Sequence, residues 1–171
     1  HERPTLGFDT GPGNCLMDLW AARHLGLPCD DGGAWARGGT ANADLLERML
    51  AEKYFSASPP KSTGRELFGP EWLEHHLHPG LDPRDVQATL LELTAASAAR
   101  AILERADGTQ RVIACGGGTQ NLALMQRLSQ RLAPRPVDLS DRHGLPAQLV
   151  EATAFAWLAQ QALEGRAGNL P

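Results

Sequence analysis

Asp9 is the residue of this sequence best placed to do chemistry. It stands between an apolar approach, Leu6-Gly7-Phe8, and the glycine-rich turn Thr10-Gly11-Pro12-Gly13-Asn14. A carboxylate at a strand-to-helix junction can act as a general base, and the unpaired N–H groups of a helix start favour an anionic ligand beside it. Gly11 and Gly13 permit dihedrals and close approaches that a Cβ resists, and Asn14 opens the helix. The same residues also suit an ordinary turn in which Asp or Asn caps a helix, and spacing alone does not separate the two readings. A second candidate is Gly116-Gly117-Gly118, which follows the apolar run Val112-Ile113-Ala114. Bare backbone there lets a flat base or ribose lie close, while a tight turn with close helix–strand packing is the alternative. The run is too short for GxGxxG, and GxxxxGK[ST] is absent from the sequence, so neither standard nucleotide fingerprint applies. The irregular segment Ser58-Pro59-Pro60-Lys61-Ser62-Thr63-Gly64-Arg65-Glu66 carries hydroxyls and cations that could meet a phosphate or carboxylate, or could form a solvated loop. His75, His76 and His78 lack the spacing of a zinc site and read as surface histidines.

The elements that must position these groups follow from periodicity. Pro4–Phe8 reads as a short strand, and Leu16, Met17, Leu19, Trp20 and Leu25 recur at helical spacing behind it. Further helices are expected over about 43–53, 82–105, 122–132 and 146–163, with Glu151 near the start of the last. Arg111–Cys115 and Pro136–Leu139 read as two more short strands, so three strand-to-helix junctions follow one another. That alternation implies an α/β fold with mostly parallel short strands packed with helices. In such sheets ligands bind beyond the carboxyl ends of the strands, where Asp9, the glycine run and the turn at His143 would converge. The small residues of the 82–105 helix suggest close packing against the sheet.

Composition narrows the function. The 171 residues suit one domain, or one lobe of a larger protein, spanning 1–171. With 16 basic against 20 acidic residues and a formal charge of −4, no general attraction to nucleic acid or to an anionic membrane is expected. Three cysteines without a CxxC pair fit a reducing compartment, so a cytoplasmic location is expected. No apolar run approaches a membrane span, and His1-Glu2-Arg3-Pro4 does not resemble a signal peptide. Both ends read as cuts through a longer protein.

Five motifs in order resemble those of the anhydro-N-acetylmuramic acid kinases: the stretch from Gly7 to Asn14, Pro59 to Glu66, Asp85 to Leu90, Cys115 to Gly118, and Glu151 to Ala159. The resemblance covers essentially the whole chain. It implies the C-terminal lobe of the actin-like ATPase, or ribonuclease H-like, fold. It also implies an ATP-dependent enzyme that hydrolytically opens 1,6-anhydro-N-acetylmuramic acid and phosphorylates it to N-acetylmuramic acid 6-phosphate in cell-wall recycling. By the same resemblance Asp9 is the catalytic aspartate, Gly11, Gly13, Asn14 and Glu151 bind substrate, and Gly116, Gly117 and Gly118 contact the nucleotide. For Glu151, a helix-initial acid that merely suits the macrodipole remains the alternative. Lys61, Ser62, Thr63 and Arg65 match a family signature without assigned duties. ATP and magnesium are the implied cofactors, with the metal ligands expected mainly in an N-terminal lobe that this sequence lacks, so no metal ligand is expected here. A homodimer is implied for the full-length enzyme, and the isolated chain is expected to be inactive. A non-catalytic binding or dimerisation module that keeps the lobe's fold is the competing reading.

Overall fold

Two of the three expected strands form. The computed structural model describes residues 5–169. In it Val112–Ala114 (β1) and Val137–Leu139 (β2) pair in parallel, with Val112 opposite Val137, Ile113 opposite Asp138 and Ala114 opposite Leu139. The crossover between them is the helix Leu122–Leu132 (α7 in chain order), as a parallel pair requires. The fold is therefore α/β, mostly helix with a short parallel sheet.

Over the described part of Pro4–Phe8 the expected strand does not form. Pro4 lies outside the described residues, and Thr5 to Thr10 run without regular structure. A strand exists by pairing, and the ladder bond made here is a single one, from the Asp9 N–H to the Lys61 carbonyl at 3.3 Å.

The remaining helices are α1 (Cys15–Leu25), α2 (Ala34–Arg37), α3 (Ala43–Leu50), α4 (Lys53–Ser56), α5 (Pro70–His76), α6 (Pro83–Arg105) and α8 (Val150–Leu163). The helix expected over 43–53 stops at Leu50, because Glu52 turns to an extended ψ of 130° and a separate short helix begins at Lys53. Pro70 at the first turn starts α5, which carries His75 and His76, while His78 lies beyond its end; His75 and His78 are exposed, as expected of surface histidines.

Helix α6 is the hub. Asp82 caps it by accepting from the Arg84 N–H at 2.7 Å, Pro83 opens it, and every residue from Val86 to Ser97 is buried. It packs against helices, chiefly α7, α3, α2 and α1, rather than against the sheet as its small residues suggested. Ala88, Ala95, Ala96 and Ala99 let those neighbours approach from all sides. Three of its buried polar residues fasten different neighbours. Thr89 Oγ1 accepts from the Asn42 N–H at 2.9 Å, and Thr94 Oγ1 donates to the Gly13 carbonyl at 2.6 Å. Glu92 takes both Arg127 and Arg131 of α7. Burial alone would raise the Glu92 carboxyl, but the hydrogen bonds from Arg127 and Arg131 outweigh it and hold the group below the ordinary glutamate value.

Candidate functional site

The turn after Asp9 is built on α6. At Gly11 a Cβ would stand 2.9 Å from Phe55 Cε1 and 2.9 Å from Ser97 Oγ, so only glycine lets the chain pass over both. Gly13 has φ +58° and open space around it, with its carbonyl held by Thr94. Asn14 precedes α1 but does not cap it with its side chain; its amide donates instead to the Asp18 carboxylate. Burial pushes Asp18 above the usual aspartate range, partly offset by that bond and by the charge of Arg65.

Asp9 is exposed and is held from 54–63. Its backbone carbonyl accepts from the Tyr54 hydroxyl at 2.7 Å. Its carboxylate oxygen Oδ2 accepts from the Ser62 hydroxyl at 2.7 Å and from the Thr63 N–H at 2.9 Å. The Thr63 amide and then the Ser62 hydroxyl draw its pKa below the ordinary aspartate value, because both donors favour the charged form. Asp9 is therefore a permanently ionised acceptor at neutral pH.

The glycine run follows β1 after Cys115. Gly116 adopts φ +86°, its N–H donates to the Ala147 carbonyl at 2.9 Å, and its carbonyl accepts from Thr119 Oγ1 at 2.7 Å and Gln148 Nε2 at 3.1 Å. A Cβ on Gly116 or Gly117 would meet nothing within 4 Å, so the backbone faces open space. Gly117 and Gly118 line a cleft of about 280 Å³ together with Asn14, Asp18, Asp31 and Asn121. Two of the three motif groups therefore share one concavity. Asp9 and Glu151 do not line it. Glu151 is exposed in the first turn of α8, three residues after the Gln148 whose amide holds Gly116. The His143 turn follows β2 on the same side of the sheet, its Asp141 carboxylate accepting the Ala147 N–H at 3.1 Å.

Comparison with known proteins decides the family. The family model described as anhydro-N-acetylmuramic acid kinase matches residues 1–171. The chain belongs to the anhydro-N-acetylmuramic acid kinase family. A curated relative of that name from Chromobacterium violaceum is 52% identical over 169 residues, covering 97% of this chain and 46% of the relative. Others from Cupriavidus pinatubonensis and Xanthomonas oryzae pv. oryzae are 50% and 52% identical, with 45% and 44% of their own lengths covered. The chain thus spans a little under half the length of the curated kinases it matches.

Two groups of residues around this kinase-family site were invisible to periodicity. Tyr54, Ser62 and Thr63 hold Asp9, and the signal for the last two was their place in the Pro59–Glu66 motif. Thr94 and Ser97 seat the glycine turn, and they read in sequence only as small polar positions on a helix. Among the described residues no group of three or more His, Cys, Asp or Glu is arranged to hold a metal ion. No described helix is long and apolar enough to cross a membrane.

Proposed function

We propose that this chain supplies the water-activating carboxylate and the adenosine wall of an anhydro-N-acetylmuramic acid kinase, as the C-terminal lobe of the actin-like fold spanning 1–171. The observation that carries the reading is the shared cleft of Asn14, Gly117 and Gly118, with open space over the bare backbone of Gly116 and Gly117. That surface fits the flat, uncharged part of a nucleotide.

In this reading Asp9 takes a proton from water as the water oxygen bonds to the anomeric carbon of the anhydro-sugar. The bond from that carbon to the bridging 6-oxygen breaks, and the freed oxygen receives the γ-phosphoryl group, leaving ADP. ATP supplies that phosphoryl group when bound; this chain's residues orient water, seat the sugar near Asn14 and Glu151, and carry the adenosine. Water attack and phosphoryl transfer both gain chiefly from alignment, which suits a rigidly held, ionised carboxylate. Gly11 contributes by packing and Gly13 by its tied carbonyl, so their service to the substrate is to fix the turn. The magnesium that accompanies ATP is read as held mainly by the part of the enzyme outside this chain. The complete kinase is read as a cytoplasmic homodimer.

Calorimetry tests the nucleotide seat on this chain alone. Magnesium-ATP binds and Gly117→Glu abolishes the heat, since a long charged side chain would fill the open space over the glycine run. No binding to the unsubstituted chain overturns the reading. The exposed apolar surface of α8 favours a second reading, a docking module, which predicts concentration-dependent self-association without nucleotide binding. The isolated chain forms no N-acetylmuramic acid 6-phosphate from anhydro-sugar and magnesium-ATP, and detection of that product would overturn the assignment of the phosphate cradle to the rest of the enzyme.

A further inference from the structure

Asp9 sits on no strand, yet a general base must hold its proton-accepting oxygen within hydrogen-bond reach of one position. The aspartate side chain has a broad, roughly two-fold χ2, so a carboxylate left to itself swings. What fixes this one lies 53 residues further along the chain. Both hydrogen bonds to the carboxylate fall on the same oxygen, Oδ2, from the Ser62 hydroxyl at 2.7 Å and the Thr63 N–H at 2.9 Å. The backbone of Asp9 is pinned on both sides as well, by its N–H to the Lys61 carbonyl and by the Tyr54 hydroxyl to its carbonyl. The ring of contacts closes through Lys61, whose ammonium donates to the Tyr54 carbonyl at 2.9 Å and lies 4.6 Å from the centre of the Tyr54 ring.

We propose that Ser62 and the Thr63 amide are the positioning pair for Asp9, holding Oδ2 so that Oδ1 is the oxygen presented to water. The proposal rests on the reading of Asp9 as the general base. Among the described residues no side chain or backbone group donates to Oδ1. Two donors on one oxygen of an ionised carboxylate are charge-assisted and stop its rotation. They also lower its basicity, so the arrangement trades proton affinity for alignment, which is the larger source of rate in a step of this kind. The Thr63 Oγ1 is buried and has no hydrogen-bond partner among the described residues, so it is the backbone N–H of Thr63 that serves Asp9. The titratable residues are Lys53 and Tyr54 on α4 and Lys61, Arg65 and Glu66 on this loop; among the described residues none of them bonds to the carboxylate oxygens.

Titration of the Asp9 carboxyl by carbon NMR, with the Thr63 amide followed in the same samples, tests the pair on the full chain. The Thr63 amide resonance moves with the same midpoint as the Asp9 carboxyl. Ser62→Ala shifts that midpoint upward, because one donor to the charged form is lost, and Ser62→Thr, which keeps a hydroxyl, returns it. A Thr63 amide that ignores Asp9 ionisation overturns the proposal, as does an unchanged midpoint in Ser62→Ala or an equal rise in both variants. Failure of the proposed function reads differently. If Asp9→Asn leaves turnover of the complete kinase intact, Asp9 is not the base, whatever its titration shows.

Discussion

Gly11 and Asp9 stand two residues apart, and their surroundings give them different duties. Asp9 is exposed, ionised and fastened through one oxygen, which is how a group is kept ready for a ligand. Gly11 is pressed against Phe55 and Ser97, both buried, so its missing side chain serves packing. Gly11→Ala must push two interior groups apart and should lower stability by about 1–3 kcal/mol. Gly7→Ala, with nothing within 4 Å of the added Cβ, should change stability by less than about 0.5 kcal/mol. Urea unfolding of the two variants checks the contrast, and equal losses would mean that the turn relaxes around a methyl group. The sequence placed both Gly11 and Gly13 near the Asp9 carboxylate. It could not say which glycine faces the interior, because that depends on α6, whose contacting residues lie about eighty positions away.

At the scale of elements, α6 joins the first glycine turn to the α7 crossover through Thr94 and Glu92. Glu92 is buried while its two arginines remain partly in water, so the arginines keep part of their hydration while they offset the cost of burying the carboxylate. Glu92→Gln should cost about 1–3 kcal/mol at neutral pH. Because the folded carboxyl titrates below its unfolded value, its stabilising contribution is complete above the unfolded glutamate pKa and is lost as pH falls through the folded one. The difference between parent and Glu92→Gln in urea midpoint should therefore hold steady near neutral pH and close only below the unfolded glutamate pKa, as pH falls through the folded one. A gap that stays constant would assign the stabilisation to packing of the side chain. Helix boundaries were legible here where a local signal existed: the Asp82-Pro83 start of α6 and the Asn121 cap of α7, whose side chain accepts from the Leu124 N–H at 3.0 Å. The segment before Asp9 had only apolar character, and without pairing partners that does not make a strand. The all-round burial of α6 was hidden for a related reason. Gln87, Thr89, Glu92, Thr94 and Ser97 look like a wet face until each is given its partner.

For the whole molecule, α8 is the informative part. Its sequence is apolar on every side, Gln161 is its one buried residue, and Phe155 and Trp157 are 64% and 49% exposed. Helices of this composition are normally covered, and an apolar surface of this kind marks a place of contact. The curated kinases are about twice as long as this chain, so in a complete enzyme of this family more polypeptide is available to cover such a helix. On the chain by itself the surface should be accessible to a hydrophobic dye whose emission rises on binding. Replacing both residues, Phe155→Ser with Trp157→Ser, should reduce that emission by about half while changing stability by no more than about 0.5 kcal/mol, because neither side chain contributes to the core around α6. Unchanged dye emission would place the accessible apolar surface elsewhere, and a large loss of stability would mean that α8 is packed in solution. The two outcomes bear on function, since α8 begins beside the glycine run. Under the proposed function, in which Glu151 of its first turn meets the sugar, a helix unsupported at Phe155 and Trp157 would hold that carboxylate less rigidly.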